Sequence, residues 1–73
     1  MQNNLKSDVG NRLKERRQQL NMTQRDVAEA IGVAQPVYQR FEKGIFECNY
    51  LQLFALCKLF DISADYLLGL TDY

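Results

Sequence analysis

Histidine is absent from the 73 residues, and cysteine occurs only at Cys48 and Cys57. A zinc site takes four nitrogen or sulfur ligands, or three with a water, so this chain is expected to hold no metal and no cofactor. The missing imidazole also removes the commonest general base. No nucleophile–base pair stands in its place, and an enzyme is not expected. No apolar run approaches the roughly 20 residues that a membrane span needs. The segment Met1 to Gly10 is polar and lacks the apolar centre of a signal peptide. The chain therefore reads as cytoplasmic, with both thiols reduced and Cys57 acting as a small core residue. Pro36 is the only proline, and no repeat or low-complexity stretch occurs.

Net charge is also lacking: nine basic residues meet nine acidic ones. The balance hides a division. Residues 1–44 hold eight cations (Lys6, Arg12, Lys14, Arg16, Arg17, Arg25, Arg40 and Lys43) against Asp8, Glu15, Asp26, Glu29 and Glu42, a net +3. Residues 45–73 hold Lys58 against Glu47, Asp61, Asp65 and Asp72, a net −3. Such a division fits a molecule with one end turned to a polyanion, and equally a scatter of solvated charges.

What is present is helical periodicity. With 47% hydrophobic and 25% charged residues the chain is globular in composition, not disordered. Val9, Leu13 and Leu20 predict a first helix from about Ser7 to Gln19, capped by Ser7 or Asp8. Asn21-Met22 breaks that pattern. Thr23-Gln24-Arg25-Asp26 is a capping box, in which the hydroxyl caps the helix start and the acid three residues later reaches back. It opens a second helix with Val27, Ala28 and Ile31 inward. Gly32 ends it, where positive φ costs least. A third helix follows near Gln35 with Val37, Tyr38 and Phe41 inward, and Gly44 ends it in the same way. Asn49 caps a fourth helix with Leu53, Leu56, Cys57 and Phe60 on one side. Ser63 caps a fifth, running to about Leu68 before Gly69. Five helices with connections this short define a compact all-α domain. The short second and third helices across a glycine turn form a helix-turn-helix, which projects one helix from the surface.

At these positions the chain resembles the lambda-repressor-like (Cro/repressor, or XRE) helix-turn-helix family over roughly residues 8–70. The resemblance is carried by Arg12-Leu13-Lys14-Glu15, Met22-Thr23-Gln24, Val27 to Val33, Phe41-Glu42-Lys43-Gly44 and Phe60 to Gly69. It implies a sequence-specific double-stranded DNA-binding transcriptional regulator, a repressor in a bacterium or phage. Residues 1–7 are then a flexible amino terminus and 71–73 a tail. The resemblance assigns base reading to Ala34, Gln35, Pro36, Gln39 and Arg40, where arginine can bond guanine and glutamine adenine. It assigns phosphate contact to Gln24 at the positive end of a helix. Thr23, Arg12, Arg25 and Lys43, with Arg16, are further phosphate candidates. Arg17 and Glu42 match a family pair joining the first and third helices, for which a forked guanidinium on a carboxylate is well suited.

Some positions depart from the family pattern. Ala34 replaces a capping serine or threonine, at a cost of about 1 kcal/mol that Pro36 in the first turn partly offsets. Ile45, Phe46 and Glu47 stand where basic residues commonly touch DNA, so this loop is expected to give it little. Ile45 with Phe46, and Leu67, Leu70 and Tyr73, are apolar groups left over for a homodimer interface, since family members bind two half-sites as dimers. The competing reading is a protein-interaction module, antitoxin-like or a regulator's partner, with little DNA affinity on the same scaffold.

Overall fold

In the computed structural model, which describes residues 4–72, five helices follow in chain order: α1 (Leu5–Gln19), α2 (Gln24–Ile31), α3 (Gln35–Glu42), α4 (Tyr50–Phe60) and α5 (Ala64–Leu67). No strand occurs among the described residues. The fold is all-α, as the periodicity predicts.

Local chemistry accounts for most boundaries. At α2, the Thr23 hydroxyl accepts the Asp26 N–H at 3.0 Å and the Asp26 carboxylate accepts the Thr23 N–H at 2.9 Å. Asn49 and Gln52 build the same reciprocal cap on α4. The Ser63 hydroxyl accepts the Tyr66 N–H at the start of α5. Ala34 gives α3 no side-chain cap, and proline in its first turn supplies the start instead. Gly32 sits at φ 75°, with nothing near the position a Cβ would take. Its value is therefore conformational alone: it lets the Val33 N–H return to the Ala28 carbonyl and close α2.

α1 ends at Gln19 as expected but departs from expectation at its start. It starts at Leu5, with the Asp8 N–H on the Asn4 carbonyl at 2.9 Å, and neither Ser7 nor Asp8 caps it. Leu5 to Ser7 are thus helical, not an irregular lead-in, and the rest of the expected flexible terminus, Met1 to Asn3, lies outside the described residues. Leu20 falls beyond the last turn and is exposed, so it contributes nothing to the buried stripe of α1.

The core is Leu13, Val27, Ala28, Tyr38, Phe41, Leu56, Phe60 and Leu67, drawn from all five helices. Tyr38 and Phe41 meet edge to face, with centroids 6.2 Å apart. Val9, Ile31, Val37, Leu53 and Cys57 pack around this core half-buried. Gly10 explains how α1 lies so close to the end of α3. A Cβ there would sit 2.5 Å from the Glu42 carbonyl oxygen and 2.6 Å from that of Phe41.

Candidate nucleic-acid interface

The third helix is held from behind and exposed in front. Tyr38, Phe41 and Glu42 are buried, whereas Ala34, Gln35, Pro36 and Arg40 are exposed and Gln39 is half-exposed. Three residues, Gly32 to Ala34, separate it from α2. The two helices therefore cross steeply and present one side of α3 to solvent.

What fixes α3 is a buried polar cluster centred on Glu42, which is 7% exposed. Arg17 grips its carboxylate with two donors, Nε to Oε2 at 2.6 Å and Nη2 to Oε1 at 3.1 Å. The third guanidinium nitrogen donates to the Met22 carbonyl at 2.9 Å. Gln24 Nε2 also donates to Glu42 Oε1, at 3.1 Å. The cluster thus joins α1, the α1–α2 loop, α2 and α3. Burial by itself would raise the Glu42 carboxyl, but the bonds from Arg17 and Gln24, with the nearby Tyr38 hydroxyl, outweigh it and hold it below its ordinary 4.5. The same pairing raises Arg17 further, chiefly through its bond to Glu42. Burial pushes the Tyr38 hydroxyl up, and the neighbouring Glu42 carboxylate adds to that effect. Among the described residues the Tyr38 oxygen is the buried side-chain atom left without a well-formed hydrogen bond.

Several residues assigned from sequence are elsewhere than expected. Gln24, a phosphate candidate, spends its side-chain amide on Glu42, leaving its backbone N–H at the head of α2. Arg12 and Arg16 are half-buried and turn toward the carboxyl-terminal helices. Arg16 Nε donates to the Phe60 carbonyl at 2.8 Å, and Arg12 Nη1 points at the Leu67 carbonyl at 3.4 Å. Both guanidiniums sit at the carbonyl ends of α4 and α5, where cations are favoured. They stitch the carboxyl-terminal helices to α1. Leu67 is fully buried in the core and presents nothing to a partner. Tyr73, the last of the dimer candidates, lies outside the described residues. Arg25, Lys43 and Thr23 are exposed beside α3, with the Thr23 hydroxyl engaged as a cap.

One arrangement at the site was not read from the sequence. The Arg40 guanidinium lies over the Phe46 ring, 5.4 Å from its centroid. The apolar loop after α3 therefore meets the exposed side of that helix through the Phe46 side chain. An aromatic six residues after an arginine carries no recognisable periodicity, so nothing in the sequence marks the pair. Behind the loop, burial pushes the Cys48 thiol up to about 11. Cys48 and Cys57 are both free thiols. Among the described residues no group of three or more histidine, cysteine, aspartate or glutamate side chains is placed to hold a metal.

A five-helix bundle in which a short, braced α3 stands out across a three-residue glycine turn defines a helix-turn-helix domain. The chain belongs to the helix-turn-helix family, of the lambda-repressor-like (XRE) type, whose pattern it matches over residues 13–67. Among curated proteins it is similar to three from Bacillus subtilis (strain 168). It is 38% identical over 56 residues to the uncharacterized HTH-type transcriptional regulator YqaE, covering 77% of this chain and 48% of that protein. It is 38% identical over 61 residues to the uncharacterized HTH-type transcriptional regulator YobD, covering 84% and 54%. To the HTH-type transcriptional regulator ImmR it is 34% identical over 61 residues, covering 84% and 48%. The chain thus spans about half the length of the curated relatives it matches.

Proposed function

We propose that the chain is a sequence-specific double-stranded DNA-binding transcriptional regulator that works by occupying an operator, as a repressor, and performs no reaction of its own. The observation that carries this reading is the exposed front of α3 on a rigidly braced back. Gln35, Gln39 and Arg40 supply donors for base edges in the major groove, and Ala34 with Pro36 supplies apolar contact to thymine methyl groups. Phosphates are met by Arg25 and Lys43 and by the N–H groups at the head of α2, where the helix dipole favours anions. Names of the three relatives and membership of the family support it. The chain acts in the cytoplasm, and as a homodimer on two half-sites about one helical turn apart.

Selection of duplexes from a random pool tests the reading directly. A single enriched sequence is expected, with affinity that falls as salt rises. Arg40→Ala should weaken binding to it by about 1–3 kcal/mol and relax preference at one base pair. Failure to enrich any duplex at low salt would favour the other reading, a protein-interaction module on the same scaffold. The specific observation behind that alternative is the exposed apolar surface of the α3–α4 loop and α4.

A further inference from the structure

The fourth helix, Tyr-Leu-Gln-Leu-Phe-Ala-Leu-Cys-Lys-Leu-Phe, is apolar nearly all the way round, with only Gln52 and Lys58 strongly polar. A helix of that kind is ordinarily covered on every side. Here one side packs Leu56 and Phe60 into the core, while Tyr50 (91% exposed), Leu51 (80%) and Phe54 (65%) face outward. Ile45 and Phe46 lie on the loop just before it and are also exposed. We infer that this face, built on Tyr50, Leu51 and Phe54 with Phe46 at its edge, is where a second copy of the chain docks. The inference rests on the dimeric reading above and names its surface.

Charge argues against other occupants. The charges at this face are few and of mixed sign, Lys58 over the Phe54 ring and Lys6 with Glu47 beside the Tyr50 cleft, so it lacks the cluster of cations that would draw DNA or an anionic bilayer. Among the described residues no helix is long and apolar enough to cross a membrane. The available area fits a modest two-fold contact. With roughly 150–250 Å² for each aromatic side chain, the five exposed residues offer on the order of 600 Å² per copy, near the lower end of stable interfaces.

Shape and charge are also self-complementary. A cleft of about 230 Å³ opens beside Tyr50 and is lined by Leu5, Val9, Phe41, Phe46 and Leu53. A cavity of about 150 Å³ already admits a benzene ring, so this one takes an apolar side chain from the facing copy. Its rim carries Lys6 and Glu47, one of each sign. An isologous two-fold contact can satisfy that pair twice, cation to anion across the interface. Continuity with the reading helix favours a second copy over an unrelated protein. Phe46 lies under Arg40, so the contact that joins two copies also holds a base-reading side chain of each.

Sedimentation of the full chain from micromolar to millimolar concentration tests the assignment, alone and with the selected duplex. Leu51→Glu, Phe54→Glu and Tyr50→Lys are compared with the wild type, and circular dichroism melts verify folding. The expected result is a self-associating wild type and variants that associate at least about tenfold more weakly, with melts that match the wild type's at concentrations where it is monomeric. Should a charge at position 54 unfold the chain, the almost fully exposed position 50 carries the same test. A wild-type dimer that the folded variants leave intact would overturn the surface while keeping the dimer. A wild type that stays monomeric at every concentration, with and without DNA, would overturn both and assign the face to another partner.

Discussion

Glu42 is a buried carboxylate whose neighbours are chosen for its charge. Removing it strands the Arg17 guanidinium and leaves the Gln24 amide without its acceptor. Breaking one side of a buried pair typically costs 3–5 kcal/mol, whereas replacing both partners by apolar groups can be near neutral. Glu42→Ala should therefore lower the unfolding free energy by about 3 kcal/mol in urea titrations. The double change Arg17→Met with Glu42→Leu should recover a substantial part of it. Protonation acts on the same group. Because its folded carboxyl is held below 4.5, its contribution is complete above that pH and is lost as pH falls through the folded value. Asp26, held below 3.8 by its bonds to Thr23, adds in the same sense. The urea midpoint should fall as the solution is acidified below about pH 4.5, and more shallowly for Glu42→Gln. Superimposable acid limbs for the two proteins would refute this. Tyr38 makes the opposite case. Its ring is core but its hydroxyl lacks a well-formed bond, so Tyr38→Phe should change stability by less than about 1 kcal/mol.

At the scale of elements, Gly10 and Thr23 show how a helix is judged by its neighbours. In an exposed helix, exchanging glycine for alanine stabilises by about 0.5–1 kcal/mol. At position 10 the added methyl would meet two backbone carbonyls at the end of α3, and backbone cannot turn aside. Overpacking of this kind costs about 1–3 kcal/mol. Gly10→Ala should thus lower the melting temperature, and a rise would show that α1 can slide off α3. Thr23→Ala removes one half of the cap on α2 and should cost about 1 kcal/mol by the same measurement. These elements were legible to different degrees. Both ends of α2, the end of α3 and the start of α4 follow from the Thr23 and Asn49 caps and from Gly32 and Gly44, and the sequence shows them plainly. The start of α1 lies earlier than the caps at Ser7 or Asp8 predict, because Asn4 gives only its carbonyl to the first turn and its side chain makes no cap. Gly10 stands in a polar stretch, and a lone glycine in a helix reveals its purpose only when the helix it touches is known.

Across the whole molecule, the division of charge along the chain takes a different meaning once folded. Two of the eight amino-terminal cations, Arg12 and Arg16, are spent on the carbonyl ends of α5 and α4, and a third, Arg17, is buried on Glu42. The Arg17–Glu42 pair leaves the net excess unchanged, but three of the eight cations are engaged inside the fold and no longer free to reach for phosphates. Arg25, Arg40 and Lys43 remain exposed on and beside α3. A DNA contact built on so few cations should show a shallow dependence on salt.

The sequence by itself determined the helix count, the Thr23 capping box, the glycine turn, most of the inward faces and the family, because each rests on interactions within a few residues or on a spacing. It also showed Arg17 and Glu42 as partners, through the resemblance. Only the tertiary structure decided where the other arginines go, that Leu67 is core, that Gln24 turns to Glu42, and that α4 keeps an apolar side uncovered. Long side chains reach many acceptors, and Arg12 and Arg16 find theirs 55 and 44 residues away. Which face of an all-apolar helix is buried likewise depends on what packs against it, and no period within eleven residues contains that.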